Sequence, residues 1–454
     1  MAVPAPTRGL EAHTAAFERA GLTPAALPAL RDHDLRELGM VTLGPRRRLI
    51  AAATADAQPA CSDAQHVAPG DSGLRRGHGG VSGPGKHPVM AAARRGIGGA
   101  SASARRALPE WQAVPGTRIV VDRFGRAAEQ ASGCRSWILT HFHSDHYRGL
   151  TTRFKAGVIY CTLITATLVH QQLKVPWERL RVVELGRPVL VGGVRVTFLD
   201  ANHCPGAAMA LLEPPGRPPV LHTGDCRWHS GMAAEAALVA VRGRCNLVLD
   251  TTYCAPHYTF PPQPQVVQFV LEAVRAEAFN PGTLFLFGCY TIGKERLFLE
   301  VARALQRKVY VSASKLRVLQ ALGLPPEYSC LLTTNDKAAH LQAVPLWRVR
   351  LKHMARILRH YRGRYNTIVA FRPCGWAHNT GRGRTGRGRR RQEGTLIIYQ
   401  VPYSEHSSFE ELRQAVAWLQ PRRLVPSVGN DGGPRAAEMV RLLRAPGPPP
   451  GEED

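Results

Sequence analysis

Residues 138–150 read ILTHFHSDHYRGL, and the reading of this stretch decides the fold. The apolar run Trp137–Leu139 breaks into His141-Phe142-His143-Ser144-Asp145-His146, placing four metal-competent side chains within six residues. A tight turn at the end of a strand is needed to aim them at one point. Imidazoles two residues apart share one face of an extended segment. Asp145 and His146 suit a second ion beside the first. Two ions about 3.5–4 Å apart are what phosphodiester hydrolysis uses to clamp the attacking and leaving oxygens. A His-rich surface loop is the alternative, and the downstream partners argue against it.

Those partners follow apolar strands. His203 comes just after the strand-like Val194–Leu199, and Pro205-Gly206 force a turn beside it. Asp225 follows Val220-Leu221, with Gly224 letting the backbone turn sharply. A third apolar strand, Leu247–Leu249, ends in Asp250, and His406 lies between a strand at Thr395–Tyr399 and an amphipathic helix starting near Ser407 or Ser408. Strand ends are the usual place for site residues in layered α/β folds. Alone, His203 or His406 reads as a hydrogen-bonded core histidine; together with the first cluster both read as ligands.

Mixed imidazole and carboxylate ligands suit Zn²⁺ with an open position for water, and a metal lowers the pKa of that water toward neutrality. In-line attack of hydroxide on phosphorus then follows, with Asp145 orienting the nucleophile and accepting its proton. None of the ten cysteines forms a CxxC pair, so neither a zinc ribbon nor a thioredoxin-like site is indicated. The segment TLFLFGCYTIGKERLFLEVARAL reads strand, turn, helix. Its TIGK turn puts Thr291 and Lys294 at a helix N-terminus, an anion site if Lys294 is not merely a solvated lysine. It lacks the full Walker spacing, which argues against a nucleotide-hydrolysing loop.

The set THFHSDHYRGL, LDANHCPGAAM, LHTGDCRW, LDTTYCAPHYTFP, CYTIGKE, RYNTIVAFRPCGW and VPYSEHSS resembles the metallo-β-lactamase superfamily over about residues 108–440. Within it the match is to the β-CASP nucleases, and among these to the DNA cross-link repair group that includes Artemis and Apollo. The resemblance implies an αββα sandwich with an inserted α/β domain. It assigns one zinc to His141, His143, His203 and Asp225. A second ion, zinc with Mg²⁺ or Mn²⁺ as alternatives, takes Asp145, His146, bridging Asp225 and His406. Asp145 and Asp225 are then the catalytic pair, with Asp122 and Asp250 as supporting acids. Ser404 is implied to help hold a terminal 5′-phosphate, and Lys294 and Thr291 extend that pocket. In this group a late strand carries Val in DNA enzymes and His in RNA-processing ones; Val428 ends RLVPSV here, which favours DNA. Gly429 where Asn is usual and Cys226 where Phe is common depart from the family pattern.

The resemblance also divides the chain. The metallo-β-lactamase domain is expected at 108–250 and 395–440, with the inserted domain at 251–394. Residues 11–53 resemble a sterile alpha motif (SAM) domain, a small helical module for protein partners, with any small helical bundle as the alternative. Residues 54–107 read as a linker and 441–454 as a disordered tail.

Composition agrees. Lys and Arg number 59 against 34 Asp and Glu, a formal charge of +25, which attracts polyanions. Charge concentrates in GRGRTGRGRRR, where Arg382, Arg384 and Arg387 alternate with small residues, so 380–392 is expected to be a mobile loop. It is read as a DNA-contacting arm, a solvated insertion or a nuclear-import signal. No run of 18 apolar residues and no signal-peptide pattern occurs, so the expectation is a nuclear protein, not secreted, without membrane contact and with reduced thiols. The expected function is a metal-dependent 5′→3′ DNA exonuclease in interstrand cross-link repair. A structure-selective endonuclease, an RNA-processing β-CASP enzyme, a small-molecule hydrolase and a non-catalytic SAM-mediated scaffold are the alternatives.

Overall fold

Two sheets carry most of the expected ligands on shared edges, and a third carries His406. In the computed structural model, which describes residues 108–125, 128, 133, 135–373, 375 and 388–445, the first is a parallel four-stranded sheet. Its strands β1 (Ile119–Val121), β2 (Ser136–Ile138), β3 (Val158–Cys161) and β4 (Leu180–Val182) lie side by side in chain order. The second comprises β5 (Val189–Val191), β6 (Val194–Asp200), β7 (Ala208–Glu213), β8 (Val220–His222), β9 (Asn246–Leu249) and the late β17 (Arg423–Pro426), ordered β17-β9-β8-β7-β6-β5.

Period-two alternation explains the sandwich. Val194, Val196 and Phe198 of β6 join Ala208, Ala210 and Leu212 of β7 and meet Ile119, Val121 and Ile138 of the first sheet in one buried layer. The opposite faces pack under helices, among them Leu168 and Val169 of the helix Leu163–Leu173 and Leu412 and Val416 of the helix Phe409–Leu419. β6 and β8 both run antiparallel to β7, while β8, β9 and β17 are mutually parallel. The C-terminal ends of β6, β8, β9 and β17 therefore share one edge.

After β9 the chain builds a third sheet of β10 (Thr283–Cys289), β11 (Val309–Tyr310), β12 (Leu332–Thr333), β13 (Leu341–Pro345), β14 (Thr367–Pro373), β15 (Arg389–Glu393) and β16 (Leu396–Val401). The order is β12-β11-β13-β10-β14-β16-β15. Here three boundaries differ from the sequence reading. β16 pairs parallel with β14 from Ile368↔Leu396 to Pro373↔Val401, so the strand expected to resume the sandwich belongs to the inserted sheet. A stacked aromatic ladder fixes it there: Phe287 on Phe371 at 5.1 Å and Phe371 on Tyr399 at 5.3 Å. The sandwich resumes only at β17.

Arg389–Arg391 are likewise not part of a loop. They form edge strand β15, paired antiparallel with β16, and Arg390 Nε reaches Glu277 Oε1 at 3.0 Å. Backbone hydrogen bonding to β16 outweighs the loop-like composition, and a charged edge discourages further strand addition. The expected tail starts later too, since the helix Pro434–Arg444 takes in its first residues. The SAM-like region 11–53, the linker 54–107, Arg382, Arg384, Arg387 and residues 446–454 lie outside the described residues. Among the described residues every cysteine is a free thiol, and no helix is long and apolar enough to cross a membrane.

Because Phe371 is fully buried at the centre of the aromatic ladder, Phe371→Ala should cost about 3–5 kcal/mol. Denaturant unfolding would read this as a lower midpoint. Loss of under about 1 kcal/mol would show that the ladder does not hold β16 in the inserted sheet.

Candidate metal centre

Five imidazoles converge where these sheet edges meet. His141 and His143 leave the end of β2, His203 sits in the β6–β7 turn, Asp225 follows β8, and His406 follows β16. His141 Nε2 lies 3.0 Å from His143 Nδ1, and His203 Nε2 lies 3.1 Å from the same atom. Asp225 Oδ2 stands 3.2 Å from His146 Nε2, 3.6 Å from His141 Nε2 and 3.7 Å from His203 Nε2. Ligand atoms of His203, Asp225 and His406 also fall within 4.8 Å of one another, so Asp225 stands close to ligand atoms of four of the rings.

The outer partner of each ring determines which nitrogen carries the proton. The Thr140 hydroxyl donates to Asp122 Oδ2 at 2.6 Å, so its oxygen is left to accept from His141 Nδ1 at 3.0 Å. His146 Nδ1 meets Asp122 Oδ2 at 2.8 Å, and His406 Nδ1 meets Asp250 Oδ2 at 2.7 Å. His203 Nδ1 donates to the Glu405 carbonyl at 2.8 Å, and His143 Nε2 donates to the Ile292 carbonyl at 3.2 Å. In the neutral rings the inner nitrogens, Nε2 of four rings and Nδ1 of His143, are therefore lone pairs facing one another. Lone pairs cannot bond each other at 3.0 Å. A tetrahedral cation with bonds of 2.0–2.1 Å separates its ligands by about 3.3 Å, so this donor set fits zinc.

Electrostatics divide the rings into two sets. Burial, then nearby His146, holds the His141 pKa well below its ordinary value, and burial also lowers that of His143. Burial, then His406, brings His203 down to about 4. Burial opposes protonation of His146, yet the Asp225 and Asp122 carboxylates overcome it and hold its pKa well above normal. Burial likewise opposes, and Asp250 overcomes, at His406, raised to about 9. Asp225 resists the upward push of burial because His146 and its neighbours keep it ionised.

Some expected roles shift. Asp145 is 78% exposed at its side chain and lies 3.8 Å from His146 Nε2, outside the groups of converging ligand atoms. Asp122 does fall in such a group, with His141 and His146, but it meets the outward Nδ1 of His146, which makes it an orienting acid. Lys294 is buried: its Nζ pairs with Glu405 Oε2 at 3.1 Å and its backbone N–H donates to Glu405 Oε1 at 2.6 Å. Ser404 is buried as well, its hydroxyl bonded to the His406 carbonyl at 2.8 Å and to the His406 N–H at 3.1 Å. Both are thus satisfied inside the protein, whereas Thr291 is exposed. Val428 is tied by its N–H and carbonyl to the Thr251 hydroxyl.

Sequence reasoning missed four contributors. Thr140 relays Asp122 to His141 and is the residue directly before the motif. Glu405 lies hidden between Ser404 and His406. Cys204, beside His203, comes within ligand distance of His141, His143 and His203, yet burial and then the Glu405 and Glu295 carboxylates push its thiol pKa well up, so it lines the site as a neutral thiol. Arg227 is buried two residues after Asp225 and bonds Glu411, the Ser404 carbonyl and the Pro261 carbonyl. Gly224 was anticipated: at φ +55 a Cβ would come within 2.8 Å of Thr140.

Asp122→Asn and Asp250→Asn should each weaken zinc affinity about 10- to 100-fold, the usual cost of losing an orienting carboxylate. Competition titration with a chromophoric chelator measures this. Parental affinity in both variants would mean that the rings orient themselves.

The profile described as DNA repair metallo-beta-lactamase matches residues 326–432. The chain is 41% identical over 327 residues to the DNA cross-link repair 1A protein of Mus musculus, covering 71% of this chain and 31% of that one. It is 35% identical over 322 residues to the 5′ exonuclease Apollo of Gallus gallus, covering 70% and 63% respectively. It therefore spans about a third of the length of the cross-link repair 1A relatives it matches. To the DNA cross-link repair protein SNM1 of Arabidopsis thaliana it is 37% identical over 347 residues, covering 75% of this chain and 70% of that protein. With this metal centre and that extent of match, the chain belongs to the SNM1 family of β-CASP DNA repair metallo-β-lactamases.

Proposed function

We propose that the chain is a zinc-dependent DNA nuclease that hydrolyses phosphodiester bonds from a 5′ end and acts in the nucleus on interstrand cross-links. The observation that carries this reading is the set of inward ring nitrogens gathered around Asp225, each ring fixed by its own outer partner. The names of the relatives, cross-link repair proteins and a 5′ exonuclease, supply the substrate class.

His141, His143, His203 and Asp225 would hold one zinc, and His146, Asp225 and His406 a second ion. Bound there, the metals would polarise the phosphodiester and make water acidic enough to attack near neutral pH. The chain's own residues do the rest. Asp122 and Asp250 keep His146 and His406 turned inward. Asp145, standing in solvent beside His146, is placed to receive a proton from the water side. Thr291 offers an exposed hydroxyl to a terminal phosphate, while Ser404 and Lys294 shape the turns around it.

End-labelled single-stranded DNA tests the reading. Chelation should abolish cleavage and zinc should restore it. A 5′-phosphate should speed degradation roughly 10- to 100-fold over a 5′-hydroxyl, equivalent to about 1.4–2.8 kcal/mol in the transition state. Equal rates at both ends, or efficient cutting of circular single strands, would replace the exonuclease with an endonuclease. Activity indifferent to chelator would remove the metal mechanism.

A further inference from the structure

From Lys337 to Gln392 the chain contains no aspartate or glutamate. The first part of this stretch leaves β13 through Leu346–Arg348 and enters the helix Leu351–His360. Leu351, Met354, Ile357 and Leu358 turn inward against Val349 and Ile368. Lys352 and Arg356 are left on the exposed outer face, with Arg348 and Arg350 exposed at the N-terminal end. Among the described residues none of these four cations has a carboxylate partner. Cations at a helix N-terminus oppose its dipole, so the arrangement disfavours folding and invites an anion. His353 lies in the same field: partial burial, then Arg356, Arg350, Arg348 and Lys352, lower its pKa.

An aromatic surface adjoins these charges. Trp347 is 49% exposed, with the Arg348 guanidinium 5.4 Å from its ring centroid and His353 edge-on at 5.1 Å. Tyr290 is 51% exposed at the end of the neighbouring strand. β10 and β13 pair in parallel with Cys289 opposite Pro345, so Tyr290 and Trp347 start from the same sheet edge. Two residues after Tyr290, the Ile292 carbonyl contacts metal-site His143. Exposed rings beside cations without carboxylate partners are what unpaired bases and their phosphates require.

We propose that Tyr290, Trp347, Arg348, Arg350, Lys352 and Arg356 form a track for single-stranded DNA leading away from the metal centre. Bases stack on the two rings, and the cations neutralise the phosphates. The track rests on the DNA nuclease reading above. A duplex fits it poorly, because paired bases have no free face to offer the rings.

The test uses the full chain in chelator, with binding of a 20-nucleotide oligo-dT followed by fluorescence anisotropy across a salt series. Trp347→Ala should weaken binding about 10-fold, within the range for loss of one stacking platform, and Trp347→Phe should retain most affinity. Combined Arg350→Ser, Lys352→Ser and Arg356→Ser should flatten the slope of log K against log salt by about 2, as three released phosphate contacts predict. Thermal melting checks that the surface variants stay folded, and Arg356→Ser alone gives a milder version of the same readout. Parental affinity and slope in both the Trp347→Ala and the triple variant overturn the track, as does a selective loss of RNA binding with DNA binding intact. If the parent binds oligo-dT and the variants lose it, yet restored zinc yields no cleavage, the track stands and the nuclease reading falls.

Discussion

Everything at the metal centre depends on one constraint: each ring's outer nitrogen is committed to a fixed partner, which turns the other nitrogen inward. Those partners come from separate parts of the chain. Asp122 follows β1, Thr140 follows β2, Asp250 follows β9, and the Glu405 and Ile292 carbonyls come from turns after β16 and β10. Asp250 is itself held by the Cys226 N–H and by the Thr252 N–H and hydroxyl. Its carboxylate is 1% exposed, so without those donors its burial would be costly. The site is therefore assembled only when strands from all three sheets end at a common edge.

The inserted sheet consequently belongs to the centre and is more than an appendage. Glu405 links the two: its carbonyl orients His203 while its carboxylate holds Lys294. Lys294 sits at φ +68, a conformation a lysine adopts at a cost, and the preceding Gly293 has no room for a side chain beside Glu405. A second buried pair, Lys315 with Glu295 at 2.8 Å, donates also to the Tyr290 and Thr291 carbonyls. Buried ion pairs add little net stability against an apolar alternative, but removing one partner is expensive. Here they fix the turn that presents Ile292 to His143.

The legible part of the site follows from locality. His141, His143 and His146 lie in one motif, and His203, Asp225, Asp250 and His406 each follow an apolar run, so strand ends could be read directly. What was not legible is pairing. The run at 396–401 announces a strand, but only the match of Phe371 to Tyr399 shows that its neighbour is β14. Arg389–Arg391 look like loop because composition says nothing of a neighbouring strand that supplies hydrogen bonds. Lys294 at a helix start reads as an anion ligand until Glu405, more than a hundred residues away, takes its charge. Partners distant in sequence leave no local periodicity to detect.

Burial divides labour around the centre. His141, His203 and Asp225 are sunk below the surface, where a low dielectric strengthens their hold on a cation and excludes competing water. Asp145 stands out in solvent at one margin. Its carboxylate lies outside the buried donors that pin an acid such as Asp250. The same motif, six residues long, thus places sunken imidazoles and an exposed carboxylate side by side, because a tight turn after β2 can point successive side chains both into and out of the sheet edge.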